Sequence, residues 1–123
     1  MALTVSGFRS ALDYTIVHET TGGTTANKNV TQSSGTLLSV DINNSTGTAA
    51  CYAKFFDGTA VTVGTSVPQV VLKCPSGGTQ RYEMAEGFDF SNLNFWVSKL
   101  PSPTDTTSPT VSSGGVIVTL VTK

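Results

Sequence analysis

The chain has 123 residues, a formal net charge of −1 and 12% charged residues, about half the usual share of roughly a quarter. That balance excludes electrostatic capture of nucleic acid or of an anionic lipid surface as the main activity, and no apolar run approaches the ~18 residues of a membrane helix. A mean hydropathy of +0.07 at low net charge argues against disorder over the whole chain.

The length predicts one domain spanning 1–123, with residues 1–10 as an N-terminal docking arm or a first strand. A chain of this size buries enough surface to need no metal or cysteine staple. Ser and Thr supply 34 residues and keep the surface polar. The N-terminus lacks a basic segment followed by an apolar stretch, so no signal peptide is expected.

Helical spacing of apolar residues is scarce, whereas alternation is frequent. Leu12, Tyr14, Ile16 and His18 share one face of the first clear strand, and Asp13, Thr15 and Glu19 share the other. The polar, Gly/Thr-rich stretch from Thr20 to Gly35 reads as a loop with one strand around Val30. Leu38, Val40 and Ile42 then alternate with Ser39, Asp41 and Asn43. Cys51, Ala53 and Phe55 alternate with Tyr52, Lys54 and Phe56. Val70, Leu72 and Cys74 alternate with Val71 and Lys73, and Tyr82 and Met84 with Arg81 and Glu83. Phe95 and Val97 point one way, and Trp96, Ser98 and Leu100 the other. Pro101 to Gly114 holds three prolines in a Ser/Thr background and reads as a second long loop. Val116 to Val121 is nearly all apolar and predicts a strand covered on both faces. Turn residues fall between these runs, at Asn43–Gly47, Asp57-Gly58, Pro75–Gly78 and Ser112–Gly115. The expected fold is all-β, an antiparallel β-sandwich or jelly-roll-like domain of about 8 strands with long polar loops.

Chemistry-bearing residues are sparse. Cys51 and Cys74 lie on the apolar parity of separate strands and read as two small buried thiols. A disulfide between them is the alternative. It would close a loop of about two dozen residues, worth roughly 3 kcal/mol in the chain-entropy model. Two cysteines and one histidine make no structural zinc site. His18 lacks the nucleophile motif a triad needs, and its reading is structural or surface. The carboxylates are scattered. Glu83, Glu86 and Asp89 form the nearest cluster, read as a solvated face or an intersubunit salt bridge. No phosphate loop, dinucleotide fingerprint or calcium loop is present. No enzyme activity and no cofactor is expected.

Phe88, Phe90, Phe95 and Trp96 form an aromatic group. It suits core or subunit interface, and less often a sugar-stacking platform. A strand apolar on both faces in so small a sandwich predicts that its outer side meets a second layer or a neighbouring subunit.

From about Leu37 onward the order of features is familiar. A strand reaches a polar turn, then Ala50-Cys51-Tyr52-Ala53-Lys54-Phe55-Phe56-Asp57, Val63-Gly64-Thr65 and Pro68. An apolar strand ends at Pro75-Ser76-Gly77-Gly78. Glu86-Gly87-Phe88-Asp89-Phe90-Ser91 and Phe95-Trp96-Val97 follow, then Thr104-Asp105-Thr106-Thr107 and a closing strand from Val116 to Thr122. This order resembles small β-rich virion proteins of tailed bacteriophages, the capsid decoration (cement) and tail or neck accessory type. The resemblance covers about two thirds of the chain, and the first 36 residues depart from it.

The resemblance implies a non-enzymatic virion protein, made in the host cytoplasm, that binds the major capsid protein or other virion proteins and bridges neighbouring capsid subunits. A tail, neck or fibre accessory is the alternative within that class, and a carbohydrate-binding module the alternative outside it. Neither nucleic acid nor membrane is an expected partner. A homo-oligomer is expected, with a trimer favoured because it fits local three-fold positions on a shell. Expected contact segments are Met1 to Ser10, Thr20 to Gly35 and Pro101 to Gly114. The candidate interface residues are Phe95, Trp96, Leu100, Pro101, Pro103 and Asp105, with Phe95, Trp96 and Leu100 assigned to self-association.

Overall fold

A computed structural model describes residues 2–7 and 14–123. Eight strands carry these residues: β1 (Leu3–Gly7), β2 (Thr15–Gly22), β3 (Gly35–Asn43), β4 (Cys51–Asp57), β5 (Val70–Cys74), β6 (Thr79–Phe90), β7 (Leu93–Ser98) and β8 (Val116–Thr122). No helix occurs among the described residues. A five-stranded sheet has the order β1-β2-β8-β3-β6, and a three-stranded sheet the order β5-β4-β7. Every paired neighbour is antiparallel. The expected all-β sandwich is therefore present.

The core lies between the sheets. The large sheet contributes Val17, Leu37, Val40, Ile42, Val116, Val118 and Leu120, and the small sheet Cys51, Ala53, Phe55, Phe95 and Val97. Period-two alternation of Val, Ile, Leu and Phe puts these side chains on one face of each strand. The rings of Phe55 and Phe95, opposite each other in the β4–β7 register, stack with centroids 5.7 Å apart.

Several expectations need correction. In β2 the inward residues are Val17 and Glu19, while Ile16 is 37% exposed and His18 is half-buried. Val17 takes the core position because it stands opposite Leu120 of β8. Glu19 tolerates burial because one carboxylate oxygen accepts hydrogen bonds from the Ala2 amide (3.0 Å), the Thr21 amide (2.9 Å) and the Thr21 hydroxyl (3.2 Å). Leu12 and Asp13 lie outside the described residues. In β3, Leu37 rather than Leu38 fills the core, because a β-bulge between Leu37 and Ser39 shifts the register and turns the bulged residue aside. β8 alternates buried and half-buried residues instead of being covered on both faces, since Ile117, Thr119 and Val121 line the outer side of the large sheet.

Leu3–Gly7 is the first strand, hydrogen-bonded to β2. Met1 and residues 8–10 of the expected arm lie outside the described residues. The stretch from Thr20 to Gly35 forms no strand at Val30. It runs along the free edge of β7 instead. The Val97 amide donates to Gly23, Asn27 and Phe95 exchange backbone bonds, and the Val30 amide donates to Leu93. Val30 is buried there as an anchor. An edge strand whose backbone would otherwise face solvent is thereby closed.

Candidate functional site

The outer face of the small sheet is where the candidate residues gather. Lys54 of β4 stands opposite Trp96 of β7, so both side chains leave the sheet on the side away from Phe55 and Phe95. Both have 0% exposure. The chain itself supplies the cover. The Lys54 ammonium donates to the Ser102 carbonyl at 2.6 Å, which seats the segment after β7 over this face. The Lys99 amide donates to the Thr107 carbonyl at 3.0 Å, closing that segment into a loop. The second layer expected outside β7 is therefore the chain's own Pro-rich loop.

Asp105 organises the loop. Its carboxylate accepts from the Leu100 amide (2.9 Å), the Thr107 amide (3.2 Å) and the Thr107 hydroxyl (2.6 Å). Ser98 donates to the Leu100 carbonyl at 2.9 Å. Partial desolvation pushes the Asp105 carboxyl up, but the bonds from Thr107 and Leu100, helped by the Lys54 charge, outweigh it and hold the group below its usual range. Burial pushes Lys54 down from the usual lysine range, against the pull of Asp105.

The candidate residues thus divide. Phe95 is in the core, Trp96 is fully buried on the outer side of the sheet opposite Lys54, and neither has surface to present to a partner. Trp96 likewise has no open face for stacking on a sugar. Leu100 is 50% exposed, Pro101 and Pro103 are exposed, and Asp105 is half-buried. The part of the group that reaches solvent is a small apolar ridge, Leu100-Pro101 and Pro103, on a loop fastened from below. Phe88 and Phe90 are on β6 of the other sheet, Phe90 in the same core as Phe95 and Phe88 packed against that core.

The open face of the large sheet carries a polar row that sequence reading did not assemble. Thr4, His18, Thr119, Asp41 and Arg81 are successive cross-strand partners on β1, β2, β8, β3 and β6. His18 Nδ1 and Thr119 Oγ1 are 2.9 Å apart, and Arg81 Nη1 meets Asp41 Oδ2 at 2.8 Å. Arg81 Nε also donates to Glu83 at 3.1 Å. A shallow hollow of ≈ 440 Å³ lies beside the row, against Asn43, Thr79 and Ile117. The signal that could have revealed this row is the register, which a strand's own sequence does not carry. Among the described residues no group of three His, Cys, Asp or Glu side chains is placed to hold a metal ion.

Cys51 and Cys74 are direct partners across β4 and β5. Both are buried free thiols. Cys74 Sγ lies 3.4 Å from the Ile42 and Gly78 carbonyl oxygens. Burial, with smaller contributions from the Cys74 neighbour, pushes the Cys51 thiol up to about 12.

No family model, curated protein or solved structure matched the chain.

Proposed function

We propose that the chain is a bacteriophage capsid decoration protein that binds the outer shell and bridges neighbouring capsid subunits through its loops. The observation that carries this reading is the fastening of the Pro-rich loop by Lys54. A loop held to the sandwich by a buried ammonium and organised by Asp105 presents Leu100, Pro101 and Pro103 in one arrangement. A pre-organised contact loses less side-chain and loop entropy on docking. Repetition supplies the rest, because two modest contacts from one copy make the second intramolecular, and binding only the assembled shell stabilises it by linkage. The sequence order from Leu37 onward supports the same class.

The test is co-sedimentation of the purified protein with shells of the phage that encodes it, stripped of this protein. Leu100→Asp should lower shell occupancy about tenfold or more, as expected for an apolar contact at an interface centre, with the thermal midpoint unchanged. Equal occupancy for wild type and variant would remove the loop from the contact. No wild-type binding would remove the shell as partner.

A further inference from the structure

The longest strand of the molecule is also a free edge. β6 spans Thr79–Phe90 and pairs only with β3, and among the described residues no backbone group bonds to its other side. The edge of β7 is closed by residues 23–30, and β1 and β5 are short. The regular stretch of that edge is Thr79–Glu83, since β6 bulges away from β3 between Glu83 and Phe88. An open regular edge is a template for another strand unless its side chains forbid it.

Its charges instead favour one occupant. Arg81 and Glu83 point outward on the same face, opposite Asp41 and Ser39 of β3, and both are exposed. In an antiparallel pairing of β6 with a second β6, directly opposed residues must share a face. With Tyr82 on the two-fold axis, Arg81 of each copy faces Glu83 of the other, twice. The next register in one direction puts Arg81 against Arg81, and in the other Glu83 against Glu83. Opposite charges across strands stabilise and like charges destabilise, so the charge pattern favours this register over its two neighbours. A register centred on Ala85 would also oppose charges, Arg81 to Asp89, but it runs through the stretch between Glu83 and Phe88 where β6 bulges away from β3. The row across the large sheet would then run from Asp41 through Arg81 into Glu83 of the second copy.

We propose that two copies of this chain associate edge to edge through β6, about a two-fold axis at Tyr82, into one continuous sheet. This gives a two-fold pair in place of the expected trimer, and makes Glu83 the intersubunit carboxylate of the acidic cluster. It concerns the chain alone and stands or falls independently of the capsid reading.

The test is sedimentation over a wide concentration range. Wild type should dimerise. Arg81→Glu and Glu83→Arg should each raise the dimer dissociation constant about 10- to 100-fold, since each turns both cross-edge pairs into like-charge pairs. An equimolar mixture of the two variants should dimerise again. The first variant then presents two carboxylates to the two guanidinium groups of the second, so both cross-edge pairs are again of opposite charge. Circular dichroism checks that both variants are folded. If either is not, hydrogen exchange on wild type replaces them, with β6 amides gaining protection as concentration rises. A monomeric wild type, an oligomer indifferent to both substitutions, a mixture that stays monomeric, or β6 exchange independent of concentration would each overturn the proposal.

Discussion

Lys54 and Trp96 face each other across β4 and β7 with no exposed surface, on the outer side of a sheet whose inner side is already core. The pair turns a two-layer sandwich into a locally three-layered one, with the Pro-rich loop as the third layer. The ammonium holds that layer through the Ser102 carbonyl, and the indole opposite it is fully buried. The Trp96 Nε1 hydrogen has no partner, so the indole contributes here through volume and apolar contact.

Removing the ammonium separates the loop from the sandwich. Lys54→Met keeps the stem and should leave global stability within about 1–2 kcal/mol, because replacing a buried ion by an apolar group of similar size is often neutral. Hydrogen exchange at the Leu100 and Thr107 amides should nonetheless quicken. Lys54→Ala also opens a cavity and should cost about 2–4 kcal/mol. Chemical denaturation followed by the fluorescence of Trp96, the single tryptophan, measures both.

Acid should release the same loop. Asp105 is held below its ordinary range, so its contribution is present above the unfolded carboxyl value of 3.8 and is lost as pH falls through the lower folded value. Protection of the Leu100 and Thr107 amides should therefore persist at pH 4 and fade on further acidification. In Asp105→Asn that dependence should vanish. A variant with the same acid profile as wild type would assign the loss elsewhere.

Alkali acts at the start of β4, the central strand of the small sheet. The folded Cys51 thiol is raised to about 12 from 9.0. The fold therefore favours the neutral thiol. This contribution is fully present below pH 9 and is lost as pH rises towards 12. Cys51→Ala should lose less stability than wild type over that interval. Thiol counting under denaturing conditions should find two free thiols in protein purified without reductant.

Asn94 ties three loops together. Its amide nitrogen donates to Phe56 (3.0 Å), Gly58 (2.9 Å) and Asn92 (3.1 Å), and its oxygen accepts from the Asn29 amide at 2.9 Å. Asn94→Ala should cost about 3 kcal/mol, since partners are left unpaired in a buried site. Asn94→Asp keeps the acceptor but sets a carboxylate against three carbonyls. Its thermal midpoint should fall at neutral pH and recover partly as the pH is lowered.

How much of this is legible in sequence depends on whether the information is local. The inward residues of β4 follow from period two at Cys51, Ala53 and Phe55, and the turns follow from their Gly, Pro and Asn content. The inward parity of β2 does not follow, because Val17 and Ile16 are equally apolar and the choice between them belongs to β8. The shift from Leu38 to Leu37 comes from a bulge that no local residue announces. Lys54 looks like a solvent-facing residue because its cover comes from a loop nearly fifty positions away. For the same reason Trp96 reads as core, interface or platform until the loop is placed. The polar row from Thr4 to Arg81 joins five strands and is a property of register alone.

The capsid reading is tested most directly by the copy number of this chain in purified virions, measured by quantitative mass spectrometry against the major capsid protein. Shell decoration predicts a ratio near one-to-one, or some hundreds of copies per particle. A few to a few dozen copies would contradict shell decoration and move the protein to the tail or neck. Absence from the particle would contradict a virion role altogether.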